Sequence, residues 1–214
     1  MAGRVHHPGA QSYVPDGAPL DELAAAVQQC RGCDLFADAT QAVFGRGARR
    51  SRWLLVGEQP GDVEDREGEP FVGPAGRILG EALESAGLAR EQTYLTNAVK
   101  HFRWRPAPRG KRRIHETPTR GEVVACRPWL MAELLAVSPT VVVTLGATAL
   151  GSLFGPSARL GASRGRALEW EGRAAVATIH PSAILRAPDA SARAEAYRGL
   201  VEDLRLAAEL GRAH

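Results

Sequence analysis

Residues 109–118, with the sequence RGKRRIHETP, carry a histidine directly behind a dense group of cations. Four of the first five residues are basic, and His115 follows two positions later. A neutral imidazole is a good nucleophile, and clustered lysine and arginine side chains attract anions. The stretch therefore predicts either a solvated basic loop or a loop that presents His115 to a negatively charged substrate.

The basic character extends over a wider segment. Seven cations and no carboxylate lie between Lys100 and Arg113, although the net charge of the whole chain is only +3. Phe102 and Trp104 lie among these cations. Cations bind phosphates and aromatic rings stack on bases, so this mixture is typical of a surface for a polyanion with accessible bases. An arginine-rich loop that meets only solvent is the alternative.

Four short motifs place polar residues directly after predicted strands. They are GEQPG (57–61), NAVKH (97–101), LGAT (145–148) and HPS (180–182). In open α/β sheets, ligands bind beyond the carboxyl ends of the strands. The four motifs together therefore predict a single site at one edge of a sheet, which none of them indicates as strongly alone.

Three side chains near these motifs suit the recognition of a flat polar ring. The amide of Asn97 offers a donor and an acceptor side by side, which match the imide edge of a pyrimidine. Phe71 lies in a glycine-rich loop that enters a helix and can stack on a ring, and His180 can bind an anionic oxygen. Each also has a structural alternative, namely a turn cap for Asn97, a core aromatic for Phe71 and a hydrogen-bonded histidine for His180.

The cysteines suggest a metal site without completing one. Cys30 and Cys33 form a C-x-x-C pair, and Cys126 lies far away in sequence on a predicted helix. Most zinc sites and iron–sulfur clusters use four protein ligands, so His101 is the candidate for the fourth. The alternative is two cysteines in a turn and one in the core.

The elements that position these residues alternate along the chain. Predicted strands cover residues 52–57, 93–99, 140–146 and 174–180, with a weaker strand near 167–172. Predicted helices cover residues 20–33, 74–88, 119–138, 147–155 and 191–210. This alternation predicts an α/β protein, a three-layer α/β/α fold around a central, mostly parallel four-stranded sheet. Thr119 and Glu122 have the spacing of a capping box, and Pro128 should bend or divide its helix.

The length of 214 residues suits one domain with a sizeable core. We expect residues 1–19 to form a flexible segment and residues 20–214 to form that domain. The connection 100–118 is longer than ordinary loops between strands and helices, which favours a functional role. The sequence contains no apolar run near the roughly 20 residues that cross a bilayer and no signal-peptide core at its start. It therefore predicts a cytoplasmic protein without a membrane partner.

The motifs taken together resemble a known family. GEQPGDVEDREGEPFVGPAGRIL, TNAVKHFRW, GKRRIHETPTRGEVVACRPWL, VVVTLGATAL and TIHPSAILR, spread over residues 57–186, are similar to the uracil-DNA glycosylase superfamily. Within it the chain resembles the iron–sulfur, family 4 branch. Gln59 replaces the alanine of the usual GEAPG motif, and KRRIH is an insertion. Both departures resemble the UdgX subgroup, which becomes covalently linked to the abasic site that it makes.

The resemblance implies a role for each motif residue. It implies that His115 is the nucleophile, and that the catalytic residues are Glu58, Gln59, His115 and His180. It implies that uracil is held by Gln59, Phe71, Asn97 and His180. It implies that the DNA contacts come from Lys100, Lys111, Arg112, Arg113 and Ser182.

The resemblance also implies a cofactor and a partner. The cofactor is a 4Fe–4S cluster with the ligands Cys30, Cys33, His101 and Cys126, where family 4 has a cysteine in place of His101. The partner is uracil-containing DNA, preferably single-stranded, bound by a monomer. Two other readings are an ordinary, recycling family 4 glycosylase and a non-catalytic iron–sulfur protein that binds DNA.

Overall fold

The computed structural model describes residues 7–213, which form eight strands and eight α-helices. The strands are β1 (Arg46–Gly47), β2 (Trp53–Gly57), β3 (Thr93–Asn97), β4 (Trp104–Pro106), β5 (Arg113–His115), β6 (Val141–Leu145), β7 (Leu168–Trp170) and β8 (Arg173–Thr178). The helices are α1 (Leu20–Ala26), α2 (Asp62–Glu67), α3 (Pro74–Ser85), α4 (Arg120–Val137), α5 (Ala147–Phe154), α6 (Leu160–Ser163), α7 (Ser182–Leu185) and α8 (Ala190–Arg212). None of the helices in this range has the length and apolar content needed to cross a membrane.

The central sheet has the strand order β1-β3-β2-β6-β8-β7. The four inner strands run parallel, which confirms the predicted parallel core. Two short antiparallel strands, β1 beside β3 and β7 beside β8, extend it to six strands. The β7 strand coincides with the weaker strand expected near residues 167–172, and β1 was not predicted because two residues carry no period-2 pattern.

Helices cover both faces of the sheet, as the three-layer prediction requires. Neighbouring residues of a strand face opposite sides, so Leu54 and Leu55 in β2 enter different cores. Leu55 packs with Leu79 of α3 and Leu204 of α8, whereas Leu54 packs with Leu130 of α4 on the other side. These leucines are all fully buried. Their packing holds the strands in place and, with them, the strand ends that carry the polar motifs.

Helix α4 begins with the predicted capping box. The Thr119 backbone N–H donates to a Glu122 carboxylate oxygen at 2.6 Å, and the Glu122 backbone N–H donates to the Thr119 hydroxyl at 3.3 Å. The helix then continues to Val137 without a break at Pro128. The expected division at this proline is therefore absent.

Within the segment predicted to be flexible, residues 1–19, Gly9 and Ala10 pack against the domain. Ala10 is fully buried, and its N–H donates to the carbonyl of Ala125 at 2.9 Å. The Gly9 N–H donates to the carbonyl of Gly32 at 3.0 Å. Small residues permit this close backbone approach, which composition alone did not reveal. Residues 1–6 of the predicted segment lie outside the described residues.

The long connection after β3 forms a two-stranded hairpin. Strands β4 and β5 pair antiparallel, with Trp104 opposite His115 and Arg105 opposite Ile114. Gly110 lies in the turn between them with a φ of 84°, a left-handed conformation that glycine adopts without strain. The long connection is therefore structured, and the hairpin carries His115 at the end of β5.

Candidate active site

The polar motifs converge at the carboxyl ends of the parallel strands. Gly57 at the end of β2 is the direct partner of Asn97 at the end of β3. Glu58 follows β2 and accepts a hydrogen bond from the hydroxyl of Thr148, which lies after β6. His180 follows β8 and lies beside Gly146, where an added Cβ would be 3.1 Å from that of His180. The structure therefore brings the four motifs to one place.

The His115 imidazole lies beside the Glu58 carboxylate. Nε2 of His115 is 3.5 Å from Oε1 of Glu58, and the two side chains are 48% and 22% exposed. The Phe102 ring supports the imidazole, with 5.9 Å between ring centroids. Burial lowers the pKa of His115 below the usual 6.5, Glu58 opposes this shift, and Arg186 adds to it. The imidazole is therefore mostly neutral at pH 7, with one ring nitrogen carrying a free lone pair.

Gln59 connects the first motif to the hairpin. Its amide nitrogen donates to the carbonyls of Arg103 at 3.2 Å and Glu116 at 3.0 Å. Its amide oxygen accepts from the Arg103 N–H at 2.9 Å. The buried amide thus binds the backbone on both sides of the hairpin. Its partner in this structure is the hairpin that carries His115.

Arg113, predicted to contact DNA, binds acidic and aromatic side chains of the protein itself. Its guanidinium forms ion pairs with Asp62 and, at 2.6 Å, with Asp65, which is fully buried. It also lies over the rings of Phe102 and Trp104, at 5.3 and 5.4 Å from their centroids. Only 12% of the side chain is exposed. A guanidinium that is committed to two carboxylates and two rings fastens the hairpin to α2 and is not free to bind phosphate.

Lys100, which the sequence also predicted as a DNA contact, lies in the protein core. Its side chain is fully buried and forms an ion pair with Glu133 of α4. The ammonium group donates further hydrogen bonds to the Thr96 hydroxyl at 2.7 Å and to the Asn97 carbonyl at 2.8 Å. Of the basic residues expected to meet DNA, Lys111 and Arg112 remain exposed, near the hairpin turn.

His180 is held in a single tautomer. Its Nδ1 accepts a hydrogen bond from the backbone N–H of Ser182 at 3.2 Å and lies 2.8 Å from the Ser182 hydroxyl. Burial, then the neighbouring Arg186 and His115, lower the pKa of His180 to about 4. A neutral ring whose Nδ1 accepts must carry its proton on Nε2. His180 therefore presents an N–H donor.

Arg186 is a site residue that the sequence reasoning missed. Its guanidinium donates to the Ser182 hydroxyl at 3.0 Å, its side chain is exposed, and its charge lowers the pKa of both His115 and His180. The sequence feature that could have identified Arg186 is its position four residues after Ser182. That spacing places two side chains on the same side of a helical turn.

Gly57, Asn97 and Phe71 lie in close contact at the ends of β2 and β3. A Cβ at Gly57 would lie 2.3 Å from the Asn97 amide oxygen and 2.6 Å from the edge of the Phe71 ring. Phe71 has a φ of 57°, and the Arg90 guanidinium donates to its carbonyl at 2.8 Å. The Phe71 and His180 rings are nearly parallel, with centroids 6.2 Å apart. An aromatic face, an amide and an N–H donor thus surround one small region, which suits a flat polar ring.

The three cysteines lie in one buried cluster beneath the site. Burial raises the pKa of Cys33 to about 11 and that of Cys126 to about 12, and it lowers the pKa of His101 to about 4. In the described range, no three histidine, cysteine or acidic side chains are grouped tightly enough for a single metal ion. A 4Fe–4S cluster holds its ligands farther apart than one ion does, because several metal atoms lie between them.

Comparison with known proteins identifies the family. A sequence model described as "Uracil DNA glycosylase superfamily" matches residues 44–205. A type-4 uracil-DNA glycosylase of Thermotoga maritima is 37% identical over 169 residues, which cover 78% of this chain and 83% of that protein. A type-4 enzyme of Archaeoglobus fulgidus is 37% identical over 177 residues, with 79% and 84% covered. A type-5 enzyme of Mycobacterium leprae is 32% identical over 162 residues, with 59% and 66% covered. The chain therefore belongs to the uracil-DNA glycosylase superfamily.

Proposed function

We propose that this protein excises uracil from DNA and stays attached to the resulting abasic site through His115. The names of its type-4 relatives support uracil excision. The observation that carries the covalent step is the approach of the His115 imidazole to within 3.5 Å of the Glu58 carboxylate. An ordinary recycling type-4 glycosylase, in which His115 is only a loop residue, is the second candidate, which the relatives support equally.

Uracil enters the space between Phe71, Asn97 and His180 after leaving the base stack. Extracting a base from a duplex costs a few kcal/mol, so single-stranded DNA is the preferred substrate. Stacking on Phe71 returns roughly 1–3 kcal/mol. The Asn97 amide accepts from N3–H of uracil and donates to O4. Cytosine presents the reverse pattern, an acceptor at N3 and a donor at N4, and is rejected.

Cleavage breaks the bond between C1′ of the sugar and N1 of uracil. The sugar acquires oxocarbenium character, as in glycoside hydrolysis. The bonding electron pair leaves with uracil, whose negative charge is shared with O2. The Nε2–H of neutral His180 is a donor that stabilises this charge, and it acts like an oxyanion hole.

His115 then replaces water as the nucleophile. The lone pair of its unprotonated ring nitrogen forms a bond to C1′, which turns the ring into an alkylated imidazolium. Loss of the proton from the other ring nitrogen gives a neutral adduct, and Glu58 is the nearby carboxylate that accepts it. The same carboxylate stabilises the cationic sugar before attack. Because imidazole is a poor leaving group, hydrolysis of the new bond is slow and the protein remains on the DNA.

Phosphates are held by the exposed cations around the site. Lys111 and Arg112 lie near the hairpin turn. Arg186 lies beside Ser182, in the segment that follows β8. Together they flank the path of a strand whose uracil occupies the pocket. The protein acts as a monomer in this proposal. A DNA substrate supports a cytoplasmic location, at the nucleoid when the protein is bound.

The cluster ligands we propose are Cys30, Cys33, His101 and Cys126. Their fit to a 4Fe–4S cluster rests on three desolvated thiols in one buried cluster and on an imidazole that burial keeps neutral, as ligation requires. When bound, the cluster supplies a structural link and no step of the reaction. Its ligands would join the segment before β1 to α4 and to the end of β3.

The pH dependence of adduct formation should reflect the lowered pKa of His115. Protonation removes the attacking lone pair, so the rate falls as the pH drops through this pKa and is constant above it. Because that pKa lies below 6.5, the rate should change little between about pH 8 and 7.5 and should fall to half its maximum only below pH 6.5. Single-turnover gel assays measure it. A half-maximal rate at pH 7 or above would contradict a neutral nucleophile with a lowered pKa.

Gln59→Ala should reduce adduct formation while leaving uracil release largely intact. The substitution removes three hydrogen bonds that hold the hairpin, so His115 samples positions away from the sugar. We expect the ratio of adduct to free uracil to fall about tenfold, as one lost positioning interaction of about 1.4 kcal/mol implies. An equal fall in both products would mean that Gln59 acts on the base instead.

A denaturing gel separates the candidate functions. Protein is mixed with single-stranded DNA that contains one uracil, with a thymine strand as the control. A heat-stable band of reduced mobility, with no more than one uracil released per protein, supports covalent trapping. Uracil in excess of protein and no such band supports a recycling enzyme. DNA binding that is indifferent to uracil, without any abasic product, supports a non-catalytic binder.

A further inference from the structure

Lys100 is a fully buried cation directly under the proposed uracil pocket. Its ammonium group donates to three acceptors: the Glu133 carboxylate, the Thr96 hydroxyl at 2.7 Å and the Asn97 carbonyl at 2.8 Å. The first two lie within the core, whereas the third belongs to the residue proposed to read uracil. The cation therefore reaches the pocket through the backbone of Asn97.

The chain from Asn97 to Lys100 is fixed on every side. The N–H groups of Ala98 and Val99 donate to the carbonyls of Gly57 and Glu58, at 2.9 and 3.0 Å. The Lys100 backbone N–H donates to the Cys126 sulfur at 3.3 Å. The ammonium group adds a second contact to the peptide that follows Asn97, at its carbonyl. Together these contacts hold the backbone from which the Asn97 side chain extends.

We infer that Lys100 is a positioning residue for uracil recognition, because its charge orients Asn97 from below. This inference rests on the proposed function. A buried ion pair is no better for stability than well-packed neutral side chains of similar size, because desolvation offsets the attraction. What neutral side chains would not supply is a charge-assisted hydrogen bond to the Asn97 carbonyl. The pair with Glu133 balances the charge of that cation inside the core.

The test is a double substitution, Lys100→Met with Glu133→Gln. Methionine fills the space of the lysine stem, and the glutamine oxygen still accepts from the Gly45 N–H and the Tyr94 hydroxyl, as Glu133 does. Removing both charges together avoids leaving one buried and unpaired. We expect the melting temperature to recover relative to Lys100→Met alone, while uracil recognition stays impaired.

Recognition is measured as the ratio of two concentrations. The first is the concentration of uracil oligonucleotide that gives half-maximal uracil release. The second is the dissociation constant for the same strand with an uncleavable tetrahydrofuran in place of the uracil nucleotide. For the double variant we expect the first to rise about tenfold and the second to change less than about twofold, because only the base contact is lost. Visible absorption of the purified protein checks that the cysteine region still holds its cluster.

Tyr94→Phe is the matched control. It removes a hydrogen bond to Glu133 on the far side of the same network and leaves Lys100 on Asn97. It should lower stability without changing the ratio. Lys100→Arg, which keeps the buried charge, is a second variant for the case that the double variant folds poorly. The longer planar group shifts the Asn97 contact and should raise the ratio at least about threefold.

The outcomes are distinct. A folded double variant or Lys100→Arg protein with the wild-type ratio would refute the positioning role. A changed ratio in Tyr94→Phe would also refute it, since any disturbance of the core would then suffice. Failure of the wild-type protein to release uracil would overturn the proposed function and this inference with it.

Discussion

Replacing His115 by alanine or serine is expected to abolish the covalent adduct and to convert the protein into a recycling enzyme. The vacated space beside Glu58 admits water, and the carboxylate can then act as a general base toward C1′. Uracil release should continue past one molecule per protein, whereas the wild-type protein stops there. A time course of free uracil at a tenfold excess of DNA, together with a denaturing gel, measures both effects.

Arg112→Ala provides the control for this substitution. It lies in the same hairpin and removes an exposed cation, but it leaves His115 and the contacts of Gln59 in place. It should weaken DNA binding, more at low salt than at high salt, and still form the adduct when DNA is saturating. If His115→Ala still gave a heat-stable adduct, another residue would have to be the nucleophile.

The second large effect is expected for Asn97→Ala. The amide is buried beside Gly57, where water cannot easily replace it, and it supplies the donor and acceptor that match uracil. Removing both hydrogen bonds should lower the rate of uracil release about 10²–10³-fold, comparable to the loss of a preorganised donor in other active sites. Affinity for a tetrahydrofuran strand should change less than about twofold, because phosphate contacts are untouched.

Equal losses in uracil release and in tetrahydrofuran binding would contradict the role of Asn97. They would indicate that the substitution disturbs the end of β3 and, with it, the position of Glu58. Thr96→Val is a useful comparison because Thr96 is the neighbouring buried residue and bonds to Glu133 in the core. It should lower stability while leaving the preference for uracil in place.

Local patterns were sufficient to predict the framework. The apolar, β-branched runs predicted the four parallel strands, and the Thr119 to Glu122 spacing predicted the start of α4. Short elements were not predicted from the sequence because their stability comes from tertiary contacts. Helix α2, strand β1 and the hairpin are each too short to show a period, and the hairpin is held by Gln59 and Arg113 from outside.

The convergence of the motifs was also predictable, because parallel strands bring their carboxyl ends to one edge. The partner that each cation binds was not predictable. Lys100 and Arg113 looked like phosphate ligands within a run free of carboxylates, but their partners, Glu133, Asp62 and Asp65, lie 33 to 51 residues away. A basic run does not reveal acidic groups that the fold brings from elsewhere.

Gln59 and the hairpin, the two features that the sequence resemblance set apart, depend on each other in the structure. An alanine at position 59 has no side chain that reaches the carbonyls of Arg103 and Glu116. A hairpin without that support would keep only its other contacts, which come from Arg103, Trp104 and Arg113. Gln59 and the hairpin therefore form one structural unit, which holds the His115 imidazole beside Glu58.

The most direct test of this account is to locate the bond itself. The adduct with a short uracil-containing strand is digested with protease and nuclease, and the modified peptide is sequenced by mass spectrometry. We predict that the added sugar mass lies on His115, attached at an imidazole nitrogen, and that the released base is uracil. A modification on any other side chain, or no modified peptide when uracil has been released in full, would contradict the central claim.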